Sequence, residues 1–200
     1  MSRFNKIIGI FGKRGTGKTV FTVGDSKLKV LGLINLYLKK HIKVLIIDTI
    51  DHPAYRHIPT MPMEKLKFWK SGVYRVIIKS EDIAKLNYIL NSSLSIWNTA
   101  LIYEDCRKHT FKTIDKSFAE ILGDSKQKNN DIIVMYHNFG ECPNDLFRKL
   151  DYIQCFKTMD SPYCRKAAMP GFYDNAMNIY EQVKKNKNPF YSELIDTGNE

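Results

Sequence analysis

Short apolar runs alternate with polar stretches along the chain, and six of these runs are rich in Ile and Val. Apolar runs of about six residues predict β-strands. The predicted strands are residues 6–11, 43–49, 74–79, 99–105, 131–137 and 152–158. Because several of these runs are apolar at consecutive positions, they are typical of strands buried on both faces of a parallel sheet.

Apolar residues recur at helical spacing in three segments between the predicted strands, namely residues 17–40, 81–94 and 111–122. We expect the first segment to hold two helices that are separated by a break at Gly24-Asp25. Three prolines mark an extended connection over residues 51–63. Helices that alternate with buried strands predict an α/β fold, in which a mostly parallel sheet is sandwiched by helices.

The length of 200 residues suits one domain with a full hydrophobic core. We expect a main domain at residues 1–180 and a polar, loosely ordered tail at residues 181–200. No apolar run approaches the ~20 residues that cross a bilayer, so no transmembrane segment is expected. The four cysteines lack C-x-x-C spacing, which favours reduced thiols in an intracellular environment.

The formal net charge is +10, which is typical of proteins that meet polyanions such as nucleic acid or a membrane surface. Lysines are denser at residues 65–70, 126–128 and 184–187. Charge favours nucleic acid, while a generally Lys-rich surface stays open as the alternative. The candidate phosphate contacts are Lys65, Lys67, Lys126 and Lys128.

The strongest chemical signal directly follows the first predicted strand and matches G-x-x-x-x-G-K-[ST], the Walker A loop of P-loop NTPases. Its members are Gly12, Lys13, Arg14, Gly15, Thr16, Gly17, Lys18 and Thr19. We expect Gly12, Gly15 and Gly17 to adopt left-handed backbone angles, which bring the loop's N–H groups close to a triphosphate. Lys18 then contacts the β- and γ-phosphates of ATP, and the Thr19 hydroxyl is a Mg²⁺ ligand.

A second signal is the pair of acids Glu104 and Asp105 at the end of a predicted buried strand. This pattern is typical of a Walker B element, in which one carboxylate holds Mg²⁺ and the next orients the attacking water. By position, Glu104 is the metal-side acid and Asp105 is the catalytic one. The usual order is Asp then Glu, so the reverse assignment stays open, as does an ordinary acidic strand exit.

The third signal is Asn138, which follows the strand at residues 131–137. An amide at this position is a candidate to contact both the γ-phosphate and the attacking water. A polar strand terminus without a catalytic role is the alternative.

Together these elements resemble the FtsK/HerA superfamily of P-loop motor ATPases over about residues 6–160. The resemblance rests on the Walker A loop, residues 101–105, the stretch 119–131 that leads to the Asn138 strand, and the stretch 143–158. The short chain is similar to the genome-packaging ATPases of membrane-containing icosahedral viruses. This resemblance implies a RecA-like (ASCE) motor that uses ATP and Mg²⁺ to move double-stranded DNA.

The resemblance further implies a homo-oligomeric ring, either a pentamer or a hexamer, which grips the DNA backbone without sequence preference. Capsid or portal-vertex proteins are the implied further partners, in the host cytoplasm or at the virion vertex. A basic finger from one subunit then reaches the γ-phosphate of its neighbour. Arg148 is the first candidate for this finger, with Arg107, Lys126 and Arg165 as rivals.

Two other functions stay open. A small nucleoside or nucleotide kinase has a similar length and a P-loop, although an Arg-rich lid is not visible here. A filamentous-phage (Zot-like) morphogenesis ATPase would normally add a transmembrane segment. The sequence departs from the superfamily pattern in having Glu104-Asp105 for Asp-Glu and His137-Asn138 where Gln is frequent.

Overall fold

The computed structural model describes residues 5–27, 29–39, 43–93, 96–110 and 113–198. Its strands are β1 (Ile7–Phe11), β2 (Gly24–Asp25), β3 (Val30–Leu31), β4 (Lys43–Asp48), β5 (Val73–Ile77), β6 (Thr99–Tyr103), β7 (Asp131–Tyr136), β8 (Tyr152–Cys155) and β9 (Glu193–Asp196). Seven of them form one sheet in the order β5-β4-β6-β7-β1-β8-β9, while β2 and β3 pair with each other.

The large sheet is mostly parallel. Strand β4 pairs in parallel with both β5 and β6, and β1 pairs in parallel with β8, whereas β9 lies antiparallel to β8. Every residue of β6 and of β7 is buried, as expected for strands covered on both faces. The prediction of an α/β fold with a mostly parallel sheet and flanking helices is confirmed.

The α-helices are α1 (Lys18–Val23), α2 (Leu33–Lys39), α3 (Ile83–Ser92), α4 (Arg107–Thr110), α5 (Lys116–Asp124), α6 (Asn144–Phe147) and α7 (Tyr173–Lys185). The expected break at Gly24-Asp25 separates α1 from α2, and these two residues form β2. Residues 28, 40, 94 and 111–112 of the predicted helical segments lie outside the described residues.

The predicted helix at residues 111–122 is placed too early in the chain. Helix α5 begins only after Asp115, whose side chain accepts a hydrogen bond from the Phe118 backbone N–H at 2.9 Å. An N-cap of this kind fixes a helix start because it satisfies one of the free N–H groups of the first turn. The connection predicted as extended at residues 51–63 contains the 3₁₀ helix Pro53–Tyr55, and a second 3₁₀ helix, Met63–Phe68, begins at its last residue.

Regular secondary structure is present at residues 181–185 and 193–196 of the segment that the sequence suggested as a loosely ordered tail. Residues 181–185 complete α7, whose buried residues Ala176, Tyr180 and Val183 follow helical spacing. Residues 193–196 form β9, which pairs with β8 from Cys155↔Glu193 to Tyr152↔Asp196. The polar composition of this segment reflects its solvent-facing positions, since Ile195 alone is buried in β9.

The chain divides into two compact units, each built from separate stretches of sequence. The first unit holds Thr19–Glu104 and Asp115–Ile133 with the N-terminal residues up to Lys6, and the second holds Ile7–Lys18, Asp105–Ile114 and the residues from Val134 onward. Aromatic packing marks both cores, with Tyr103 against Phe118 in the first unit and Phe11 stacked on Phe139 in the second. No helix among the described residues is long and apolar enough to cross a membrane.

Candidate active site

The Walker A loop connects β1 to α1 and is fixed by backbone hydrogen bonds within the second unit. The Gly12 N–H donates to the Tyr136 carbonyl at 3.1 Å, and the Lys13 N–H donates to the Lys157 carbonyl at 2.8 Å. Tyr136 ends β7, and Lys157 lies two residues beyond the end of β8. The loop is therefore held at the carboxyl ends of strands, where open α/β sheets bind their ligands.

The loop glycines serve two different purposes. Gly15 has φ +77° and Gly17 has φ +97°, so both adopt the predicted left-handed conformation. The prediction is wrong for Gly12, which is not among the residues with positive φ. Gly12 is needed instead for close packing, because a Cβ there would lie 2.6 Å from Phe156 Cβ and 2.7 Å from Thr16 Oγ1.

Lys18 is buried and turns back over its own loop. Its Nζ donates to the carbonyls of Gly12 and of Lys13, the latter at 3.2 Å, and it lies 3.2 Å from His137 Nδ1. The His137 ring also makes a hydrogen bond with the Gly12 backbone, so the lysine and the ring lie together at the start of the loop.

His137 is held between a positive and a negative group. Burial lowers its pKa, and the nearby Lys18 charge lowers it further, while Asp105 and Glu141 oppose the shift. Its Nε2 lies 4.0 Å from Asp105 Oδ1, and its backbone N–H donates to Glu141 Oε2 at 3.0 Å. His137 therefore favours the neutral form and lies between the loop lysine and Asp105.

Asp105 combines a strained backbone with an unsatisfied carboxylate oxygen. Its φ is +48°, which is uncommon for a residue with a side chain and is often found at functional sites. Its Oδ1 is buried without a hydrogen-bond partner among the described residues. Lys108 Nζ lies 3.7 Å from Oδ2, and Arg107 Nε lies 3.9 Å from Oδ1. A buried, ionisable oxygen left open in this way is suited to bind a water molecule or ligand.

The amide of Asn138 is engaged at both of its ends. Its Nδ2 donates to Glu141 Oε1 at 3.2 Å, and its Oδ1 accepts from the Met159 N–H at 3.1 Å. These bonds join the turn after β7 to the segment after β8. The catalytic role predicted for Asn138 is untested, and the side chain that contacts Lys18 is its neighbour His137.

Glu104 belongs to the first unit, where a tyrosine fixes its carboxylate. The Tyr55 hydroxyl donates to Glu104 Oε2 at 2.7 Å and also hydrogen-bonds with Thr22 of α1. Tyr55 is fully buried, and burial together with the Glu104 charge raises its pKa well above the usual value. The hydroxyl therefore stays protonated and remains a donor. Sequence reasoning missed Tyr55, because it lies in a connection without a recognisable motif.

The donors available for Mg²⁺ are oxygens, which this ion prefers. Thr19, half-buried at the start of α1, supplies a hydroxyl and Glu104 supplies a carboxylate. The described residues contain no group of three or more His, Cys, Asp and Glu side chains arranged to hold a metal. Mg²⁺ is usually bound by one or two carboxylates together with substrate phosphates and water.

The basic finger candidates differ in how they are engaged. Arg148 is 53% exposed at its side chain and lies 3.6 Å from Asp145. Arg165 binds the Phe139 and Gly140 carbonyls and Asn144 Oδ1, so it supports the turn after β7. Arg107 lies 3.4 Å from Glu141 as well as near Asp105. Arg148 is thus the most accessible of the three arginines.

The lysines predicted to contact nucleic acid fall into two groups. Lys65, Lys67 and Lys126 are exposed. The Lys128 side chain is only 15% exposed and donates to the Asn91 carbonyl at 2.7 Å and to Asn91 Oδ1 at 2.9 Å. Lys128 therefore stabilises the first unit and is a poor phosphate contact.

The four cysteines are all free thiols, with Cys164 exposed and the other three buried. Burial raises the pKa of Cys155 to about 12, so this thiol stays protonated at neutral pH. Such buried thiols act as small apolar side chains in the core.

The comparison with solved structures identifies the fold. The genome packaging NTPase B204 from Sulfolobus turreted icosahedral virus 2 in complex with ATP-gammaS is 15% identical, with a TM-score of 0.71 over 96% of this chain and 96% of that chain. Its sulfate complex is 16% identical, with a TM-score of 0.74 over 96% and 91% of the two chains. B204 from Sulfolobus Turreted Icosahedral Virus, a DNA-packaging ATPase, is 14% identical, with a TM-score of 0.67 over 98% and 94%.

No protein-family model matches the chain, and no curated protein matches it. The chain therefore has the P-loop NTPase fold of this genome packaging NTPase along nearly its whole length.

Proposed function

We propose that this protein is an ATP-hydrolysing motor that moves double-stranded DNA, as the genome-packaging ATPase of a virus. The proposal is carried by one cluster of the second unit, in which Lys18 of the Walker A loop contacts His137 and Asp105 leaves a buried oxygen open among the described residues. The fold that this chain shares with a viral packaging NTPase over 96% of its length supports the DNA-moving role.

In this proposal the backbone N–H groups of residues 12–18 bind the triphosphate of ATP, and Lys18 moves from the Gly12 carbonyl to the β- and γ-phosphates. Thr19 and Glu104 hold Mg²⁺, with Glu104 oriented by the Tyr55 hydroxyl. When bound, the ion neutralises charge on the phosphates.

Asp105 orients the attacking water and accepts its proton. Two observations support this choice between the two acids. Asp105 Oδ1 has no hydrogen-bond partner among the described residues, whereas Glu104 already accepts a hydrogen bond from Tyr55. A general base must reach its proton at hydrogen-bond distance, which an oxygen left open permits.

His137 is the positioning residue that we place at the site assigned to Asn138 from the sequence. Its Nδ1 lies 3.2 Å from Lys18 Nζ, and its Nε2 lies 4.0 Å from Asp105 Oδ1. The neutral His137 ring thereby holds Lys18, which binds phosphate, and Asp105, which orients water, in fixed positions relative to each other. Asn138 supports this arrangement through Glu141, which binds the backbone N–H groups of residues 137 and 138.

The motor works as a homo-oligomeric ring, a pentamer or a hexamer, in which Arg148 reaches the γ-phosphate of a neighbouring subunit. The exposure of Arg148 supports this choice, since a residue that acts on another subunit must be accessible. Lys65, Lys67 and Lys126 contact the DNA backbone without sequence preference. Capsid or portal-vertex proteins complete the assembly, in the host cytoplasm or at the virion vertex.

Measuring ATP turnover after addition of duplex DNA, and separately after addition of a nucleoside, tests this function. We expect duplex DNA at low salt to stimulate release of inorganic phosphate from ATP, and the Lys18→Ala variant to release none. The exposed Lys85 of α3 provides the matched control, because Lys85→Ala removes a lysine that lies outside the Walker A loop, and it should leave turnover unchanged. Transfer of phosphate to a nucleoside, with no stimulation by DNA, would contradict the motor and identify a kinase.

A further inference from the structure

An exposed aromatic ring, Phe190, lies against the end of the Walker A loop. A Cβ placed on Gly17 would be 3.3 Å from Phe190 Cδ1, 3.6 Å from Phe190 Cβ and 3.6 Å from Phe156 Cε1. Phe156 is buried, whereas Phe190 remains 56% exposed. The loop therefore carries an apolar surface at Gly17, in addition to the charged groups around Lys18.

The backbone around Phe190 is held by its own turn. The Phe190 N–H donates to Asn188 Oδ1 at 3.0 Å, and the Tyr191 N–H donates to the Asn188 carbonyl at 3.2 Å. An Asn side chain that bonds the backbone two residues on is a common way to fix a turn. The ring is thus presented by a defined turn.

The same strand anchors this turn and the Walker A loop. Just after the turn, Ser192 Oγ accepts from Gln154 Nε2 at 2.9 Å, and β9 then pairs with β8. Beyond β8, the Phe156 N–H donates to the Phe11 carbonyl at 2.8 Å, and the Lys157 carbonyl accepts from Lys13 of the loop. Phe190 is therefore fixed relative to the loop through the Gln154–Ser192 hydrogen bond, the pairing of β8 with β9, and backbone hydrogen bonds inside the second unit.

We propose that Phe190 is the stacking surface for the base of the bound nucleotide. This inference rests on the proposed function, because it requires that the loop binds a nucleoside triphosphate. The loop offers two chemically different places, a buried cation at Lys18 and an exposed phenyl ring at Gly17. A nucleoside triphosphate has two matching ends, a charged phosphate chain and an aromatic base.

Stacking on a phenyl ring also fixes the expected selectivity. Every base has a π-face, so stacking tolerates a change of base. We therefore expect Phe190 to contribute equally to the binding of ATP and GTP, and not at all to the binding of inorganic tripolyphosphate, which has no base.

The test measures the affinity of the full chain for a non-hydrolysable ATP analogue, its GTP counterpart and tripolyphosphate. Loss of one stacked base costs about 1–3 kcal/mol, so Phe190→Ala should bind both nucleotide analogues about 5- to 150-fold more weakly. Affinity for tripolyphosphate should not change. Phe68→Ala is the matched control, since Phe68 is 71% exposed and lies in the first unit, and it should leave all three affinities unchanged.

Phe190→Trp gives a second readout that needs no loss of function. Its indole should retain nucleotide binding, and its fluorescence should change on addition of the ATP analogue but not of tripolyphosphate. Phe68→Trp should give no such change. Equal weakening of nucleotide and tripolyphosphate binding by Phe190→Ala would overturn the inference, because it would mean that the ring only supports the loop.

Other outcomes separate this inference from the proposed function. If the wild type binds the ATP analogue and Phe190→Ala binds it equally well, the base lies elsewhere and only this inference is wrong. If Phe190→Ala changes the oligomeric state but not the nucleotide affinity of the monomer, the ring belongs to a subunit interface and the inference is again wrong. If the wild type binds neither nucleotide nor tripolyphosphate, both proposals are wrong.

Discussion

The Tyr55 hydroxyl, which lies outside every sequence motif, should be important for both stability and Mg²⁺-dependent hydrolysis. Tyr55→Phe removes one oxygen from a fully buried side chain and leaves its ring in place. That oxygen donates to Glu104 Oε2 at 2.7 Å and hydrogen-bonds with Thr22 in α1. The substitution therefore removes the hydrogen bonds by which Tyr55 links the Glu104 carboxylate to Thr22 of α1.

The expected cost follows from the charged partner. A hydrogen bond to an ionised group contributes about 1.5–3 kcal/mol, so the free energy of unfolding should fall by about 2 kcal/mol. For a chain of this length that corresponds to a melting temperature lower by about 4–8 °C. Loss of a group that orients a metal ligand should also weaken Mg²⁺-dependent hydrolysis by about 10-fold or more.

Thermal unfolding and a Mg²⁺ titration of ATP hydrolysis measure the two effects. Tyr88→Phe is the matched control, because Tyr88 lies in the same unit and is largely exposed, and it should change neither quantity. If Tyr55→Phe melts at the wild-type temperature and has the wild-type Mg²⁺ requirement, the Tyr55–Glu104 bond does not hold the acid, and the assignment of Glu104 as the fixed metal-side acid fails.

Three further variants test the remaining roles. Asp105→Asn should bind the ATP analogue normally but hydrolyse ATP about 10²- to 10⁴-fold more slowly, and normal turnover would assign the base elsewhere. Because the folded pKa of His137 is lowered, the unfolded chain takes up its proton first as pH falls below about 6.5. Stability should therefore decline with falling pH in that window, and His137→Gln should flatten the decline; an unchanged slope would contradict the half-buried neutral ring. Arg148→Ala should bind nucleotide but hydrolyse it slowly, and mixing it with Lys18→Ala subunits should restore activity; no recovery in co-assembled rings would exclude Arg148 as the finger.

The fold could be predicted because its strands are short, apolar and buried on both faces. Strands β4, β6 and β7 begin at the predicted residues and end one or two residues earlier than predicted. The helical segments were harder, since their starts depend on single caps such as Asp115. The C-terminal strand β9 was missed because it is an edge strand with one buried residue, Ile195, and therefore lacks the apolar signal of the central strands.

The Walker A loop was recognisable because its chemistry requires particular residues at a fixed spacing. The sequence did not predict which polar side chain contacts Lys18, as His137 and Asn138 illustrate. Both are polar residues just after β7. The Asn138 amide makes hydrogen bonds with Glu141 and the Met159 N–H, whereas His137 contacts Lys18. Lys128 was likewise misjudged from the sequence. It lies in a basic stretch, but its ammonium group donates a hydrogen bond to the Asn91 carbonyl.

Displacement of a third strand from duplex DNA tests the central claim most directly. A motor that moves along the duplex strips a pre-formed triplex strand only while it hydrolyses ATP. The wild type should release the third strand in an ATP-dependent manner, whereas Lys18→Ala, or the wild type with a non-hydrolysable analogue, should release none. ATP hydrolysis that proceeds at full rate with duplex DNA bound, yet leaves the triplex intact, would contradict the claim that this protein moves DNA.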